Sequence, residues 1–121
     1  MIEPELIRIG ETRMGSESGR TKAALAALTQ RIAALFAIGT HAIHARRRGS
    51  PTIVKARQTI IYLAHIALGL DVMEIADALN RDRSSVALAL KTIEDARDDP
   101  AFDALLDCLE KTIGVWQGEG R

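Results

Sequence analysis

The segment LNRDRSSVALAL, residues 79–90, decides how the chain is read. It has the form of a tight turn followed by the opening turns of a helix led by polar and basic side chains. Upstream, VMEIADAL (72–79) is a short helical segment, and Asp71 with Glu74 makes a capping-box start, an acidic cap with Glu at N3. Two short helices joined by about three residues, with small and apolar side chains at fixed offsets, form a helix-turn-helix. Ile75, Ala76 and Leu79 would line the inner face of the first helix, and Val86, Ala89 and Leu90 that of the second. Asn80 takes the turn position usually held by Gly, where φ is positive; Asn is the side chain best suited to that conformation. Arg83, Ser84, Ala87 and Leu88 would face outward, with Asp82 before them as cap or reader. An Arg can reach guanine O6 and N7 bidentately, Ser hydroxyls can contact bases or phosphates, and a helix N-terminus favours phosphate.

A DNA-binding reading meets one objection: 16 Lys and Arg balance 16 Asp and Glu. The balance hides a segregation. From His41 to Ile60 stand Arg46, Arg47, Arg48, Lys55 and Arg57 and no acid, a local sum of +5. From Asp98 to Arg121 six acids face two bases, a local sum of −4. Affinity for a polyanion follows where positive charge clusters more than the total.

The remaining segments read as helices. Thr21 is placed to cap one in which Leu25, Leu28, Ile32 and Leu35 recur, with Gly39 at its exit; Thr40 can cap a short helix through HAIHAR. After the loop RRRGS, Ser50-Pro51 is a cap followed by Pro at N1. The helix it starts is apolar nearly all round from Ile60 to Leu68, which a central helix tolerates and a surface helix does not. Asp99-Pro100 repeats the start signal for a last helix with Phe102, Leu105, Leu106, Leu109 and Ile113 on one stripe, Asp103, Asp107 and Glu110 outside it, and Gly114 as its end. No stretch alternates with period 2. The expectation is an all-α domain over residues 21–114, with a flexible arm at 1–20 and a tail at 115–121.

Several chemistries are set aside. Cys108 is a lone thiol in an apolar-periodic segment, read as an inert core residue. His41 and His44 lack a third metal ligand nearby, and His65 reads as a hydrogen-bonded, half-buried histidine. Ser84 and Ser85 have no His or Lys suitably placed for nucleophilic catalysis. GSESGRTK (15–22) is one residue short of a phosphate loop and has Arg for the Lys. No enzyme, cofactor, metal or nucleotide site is expected. Acidic residues at the N-terminus and the lack of any apolar run near the ~18–20 residues of a membrane span point to a soluble, cytoplasmic, nucleoid-associated protein.

RRRGSPTIVKARQTIIYLA, MEIADALNRDRSSV and KTIE together resemble the C-terminal DNA-binding domain of the bacterial replication initiator DnaA, over about residues 24–97. That family has a basic loop, an ARQ- or PRQ-type motif opening a long helix, a Gly-Gly turn, RDHTTV and RKIE. The resemblance implies that Arg46, Arg47 or Arg48 enters the minor groove and that Arg57 and Gln58 contact the backbone and nearby bases. It implies that Asp82, Arg83, Ser84 and Ser85 read the major groove, with Lys91 as a further base on the same helix. Lys55 and Arg81 complete the basic stretches and the expected DNA-binding set. Arg83 replaces the family's His, serines replace both Thr, Asn80 replaces Gly-Gly, and Gly49 stands where many members carry another base. Arg in place of His favours a guanine, and losing the Thr methyls removes contact with thymine methyls. With no phosphate loop the chain is not expected to act as an initiator alone. It looks like a transcription regulator of duplex DNA, as in activators of phage-like and gene-transfer-agent genes, with RNA polymerase or another regulator as partner. The alternative is an adaptor or accessory factor in replication control, using the acidic last helix and the tail with Trp116.

Overall fold

The computed structural model describes the backbone of residues 2–119 and the side chains of residues 19–115. Among these residues there are six helices and no strand: α1 (Ile2–Leu35), α2 (Thr40–His44), α3 (Pro51–Ile66), α4 (Val72–Leu79), α5 (Arg83–Ala96) and α6 (Pro100–Glu119). The fold is all-α, and no described helix is long and apolar enough to cross a membrane.

α3 is the central helix and packs against each of the other five. Ser50 Oγ accepts from Ile53 N–H at 3.3 Å, and Pro51 fills N1. From Thr59 to Ala64 every side chain is buried, so the helix is covered all round, as its apolar run requires. Its buried Thr59 Oγ1 donates to the Lys55 carbonyl at 2.8 Å and so is not stranded. Leu25, Leu28 and Ile32 bring α1 onto this core, and Phe102, Leu106 and Ile113 bring α6.

Four starts and stops differ from the sequence expectation. Thr21 lies inside α1 rather than capping it, since the helix runs from Ile2. Residues 2–20 hold Glu, Leu, Ile, Arg and Met among their glycines, and each Gly costs a helix only about 1 kcal/mol. The side chains of residues 1–18 of the expected arm, and those of Trp116 and the tail beyond it, lie outside the described residues. α1 closes at Ala37, not Gly39: Ala37 has φ 59°, Ala37 N–H donates to Ala34 O and Ile38 N–H to Ala33 O. Gly39 is instead the N-cap of α2, which makes Thr40 its first helical residue. Gly114 is inside α6, because an isolated Gly lowers helix propensity without supplying a stop. Cys108 is exposed, since the stripe that α6 buries passes through Phe102, Leu106 and Ile113 and leaves residue 108 off it. Leu105 is likewise exposed, at 37%.

Candidate nucleic-acid interface

The helix-turn-helix forms as its residues dictate. Asp71 Oδ1 accepts from Glu74 N–H at 2.8 Å, and Glu74 Oε1 accepts from Asp71 N–H at 2.9 Å, completing the capping box of α4. Asn80 sits at φ 55°, ψ 52°, and the next N–H, of Arg81, donates to Ala76 O at 2.9 Å. One left-handed residue thus does the work of a Gly-Gly turn. Ile75, Ala76, Leu79, Val86 and Ala89 are all buried between the two helices.

That packing leaves Arg83, Ser84, Ser85, Ala87, Leu88 and Lys91 exposed along α5. Asp82 is the N-cap residue by backbone conformation, but its side chain makes no capping hydrogen bond. The first-turn N–H groups of α5 therefore lack a side-chain acceptor, and the Asp82 carboxylate is exposed beside them.

The basic loop lies against this turn. Arg46, Arg47 and Arg48 are exposed, whereas Arg57 is buried, at 6% exposure. The Arg57 guanidinium donates from Nε to Ile43 O at 2.8 Å and from Nη1 to Arg48 O at 2.9 Å. Its Nη2 donates to Ala42 O at 2.9 Å and Arg47 O at 3.5 Å. Arg81 reaches the same loop, donating from Nη1 to Arg46 O at 3.4 Å and from Nη2 to Ile43 O at 3.4 Å and to Ala45 O. Burial, then the nearby charges of Arg81 and Arg48, push the Arg57 pKa down. Among the described residues none of these five arginines, nor Arg83, has an acidic partner.

Loop, α3 and α5 meet in an open groove of about 260 Å³, where Arg46, Arg48, Arg57, Gln58, Arg81, Ser85 and Leu88 come together. Of the expected site residues, Arg47, Lys55, Asp82, Arg83, Ser84 and Lys91 do not line it. Lys55 Nζ stacks over the Phe102 ring at 4.4 Å from its centroid, and Lys91 Nζ lies 3.7 Å from Asp95 Oδ2 in an exposed pair. Such exposed pairs contribute little and leave the Lys91 charge available. Arg57 was also expected on the DNA; it is largely buried, because it falls four residues after Ile53 and three before Ile60, on the buried side of α3, and it lines the floor of the groove.

Asp103, Asp107 and Glu110 converge on Arg97, at 2.5, 2.5 and 2.6 Å, and Arg97 Nη1 also donates to the Tyr62 hydroxyl at 3.0 Å. These acids are already engaged, and they join α6 to α5 and α3. His65 Nδ1 meets Leu70 O at 2.8 Å, which fixes its proton there, as expected of a hydrogen-bonded histidine. No group of three or more potential metal ligands occurs among the described residues.

The model of the family described as bacterial dnaA protein helix-turn-helix matches residues 25–93, more than half the chain. The chain belongs to this family. The matched span holds the basic loop, α3, α4 and most of α5, the elements that meet at the groove. Two solved structures share the DnaA-type fold. A crystal structure of a DNA replication initiation factor aligns with a TM-score of 0.78 at 22% identity, covering 93% of this chain and 36% of that one. A replication initiator DnaA bound to AMPPCP and single-stranded DNA aligns with a TM-score of 0.73 at 21% identity, covering 93% and 35%. The chain thus spans about a third of the length of the solved chains it matches. A comparison with curated protein sequences returns no match.

Proposed function

We propose that the chain is a sequence-specific duplex DNA-binding protein that acts as a transcription regulator. The observation that carries the reading is the exposed, acid-free surface made by Arg46, Arg47 and Arg48 beside the open first turn of α5. In this reading α5 enters the major groove with Asp82, Arg83, Ser84 and Ser85 at base edges, and the loop lies along the adjacent minor groove. Lys91 and Gln58 meet the phosphate backbone. Arg57 and Arg81, expected among the contacting residues, hold the loop through its carbonyls. Membership of the DnaA helix-turn-helix family supports the DNA half of the reading. The regulator half makes RNA polymerase the natural second partner, and it requires that occupancy of a target site change transcription from a neighbouring promoter.

The direct test is a salt titration of duplex binding. Neutralising roughly three to five phosphates should give log K a slope of about −3 to −4.5 against log[salt]. Arg47→Ala should weaken binding to all sequences alike, and Arg83→Ala should chiefly flatten the preference for one of them. Binding that ignores salt, or an Arg83→Ala protein with unaltered preference, would contradict the proposal.

A further inference from the structure

Arg57 and Arg81 start from different elements and end on one stretch of backbone. Between them they satisfy six carbonyls, those of Ala42, Ile43, Ala45, Arg46, Arg47 and Arg48. A guanidinium carries five N–H donors in a fixed planar fork, so its acceptors are held in a fixed relation to one another. The loop has neither a ladder nor an apolar anchor to provide that. With their carbonyls drawn inward, Arg46, Arg47 and Arg48 keep their side chains exposed. Arg81 adds something that Arg57 cannot. It stands between Asn80 and Asp82 in the turn of the helix-turn-helix, 35 to 38 residues from its acceptors.

We propose that Arg57 and Arg81 are positioning residues, a two-arginine clamp that shapes the 45–49 loop and locks it to the first turn of α5. The inference rests on the reading of this surface as a duplex-binding site. It makes the spacing between the two groove-reading elements a property of the free protein, set before DNA arrives. Arg81 is not optimised for stability alone: its Nε is buried and has no acceptor, a cost that an apolar side chain of similar size would avoid. The clamp also assembles like charges with no acid among them, held by carbonyl dipoles. DNA phosphates supply the missing negative charge.

Two arms of one experiment test this on the full chain. In the first, backbone ¹⁵N relaxation is measured without DNA for wild type, Arg81→Met and Arg81→Lys. Order parameters at residues 46–49 should be about 0.85 in wild type and fall below about 0.6 in both variants, with α5 unchanged. Lys keeps the charge but cannot span three carbonyls, so it should not restore order. In the second arm, duplex affinity is measured for Arg81→Met alone and on a background of Arg46→Ala, Arg47→Ala and Arg48→Ala. The clamp predicts a loss of about tenfold or more in wild type and less than about twofold on that background, since the effect passes through the loop. An ordered loop in Arg81→Met overturns the proposal. So does an equal loss on both backgrounds with a salt slope shallower by about one, or affinity restored by Lys, each of which makes Arg81 a direct phosphate contact. If the wild type binds no duplex the functional reading fails, and the relaxation arm still decides the clamp.

Discussion

Three of the four described backbone positions with positive φ, Ala37, Gly49 and Asn80, differ in what they tolerate. Ala37 holds φ 59° to close α1, a conformation that costs a residue with a β-carbon roughly 1–2 kcal/mol. Ala37→Gly should therefore raise stability by about 1 kcal/mol in urea unfolding, whereas the usual Ala-to-Gly change in a helix lowers it by a similar amount. Gly49, at φ 89°, has no such latitude, because a β-carbon there would lie 2.9 Å from Ile53 Cγ2. Its place in the basic loop reads in sequence as a lost base, yet the position ends the loop against α3. Gly49→Arg should cost about 1–3 kcal/mol of stability and weaken duplex binding despite its added charge. Tighter binding by that variant would show that the loop answers to charge rather than to shape. Asn80 shows how much of the residue scale was legible. Its left-handed turn follows from Asn being the side chain best suited to that conformation, whereas Ala37 carries no such mark, and Gly39 two residues on drew the expectation away from it.

Helix starts were readable because caps act within four residues: Ser50 with Pro51, Asp71 with Glu74, and Asp99 with Pro100 all form as their spacing implies. What spacing could not reveal is which charged side chain of one helix meets another helix. Arg97 is the instance. Its side chain is 15% exposed, and its guanidinium joins three carboxylates of α6 and the Tyr62 hydroxyl of α3. Those pairings, led by the hydrogen bond to Asp103, push its pKa further up and keep it charged. Arg97→Met should destabilise the protein by roughly 2–3 kcal/mol, between the values for exposed and buried pairs, because three acids lose their common partner. Thermal unfolding measures this, and an unchanged Tm would show that α6 is held by its apolar stripe alone. Tyr62, the only tyrosine, offers a second check on the same junction. Burial pushes its hydroxyl pKa up, outweighing the opposite pull of Arg97. The stability this represents is fully present below about pH 10 and is lost as pH rises through the folded value. Tyrosinate absorbance should thus appear later in the native protein than in urea, and an unshifted titration would contradict the packing of α3 on α5 and α6.

At the scale of the whole molecule, zero net charge is a sum over two unlike regions. Asp103, Asp107 and Glu110 of α6 are engaged with Arg97, while among the described residues the arginines of the loop and turn are paired with carbonyls or with nothing. The positive field is therefore not cancelled where it matters, which answers the objection that the composition raises. Sequence placed the two reading elements in one chain, and resemblance placed them in the DnaA family. Neither showed that Arg57 is buried or that Arg81 joins the loop to the turn, because both facts depend on contacts between segments distant in sequence. The most direct measurement of the central claim is selection of bound duplexes from a random pool, run in parallel with wild type and Arg83→Ala. The account predicts one enriched motif for wild type, with a guanine at the position that loses its preference in Arg83→Ala. A wild-type pool left unenriched after repeated rounds at moderate salt would contradict it.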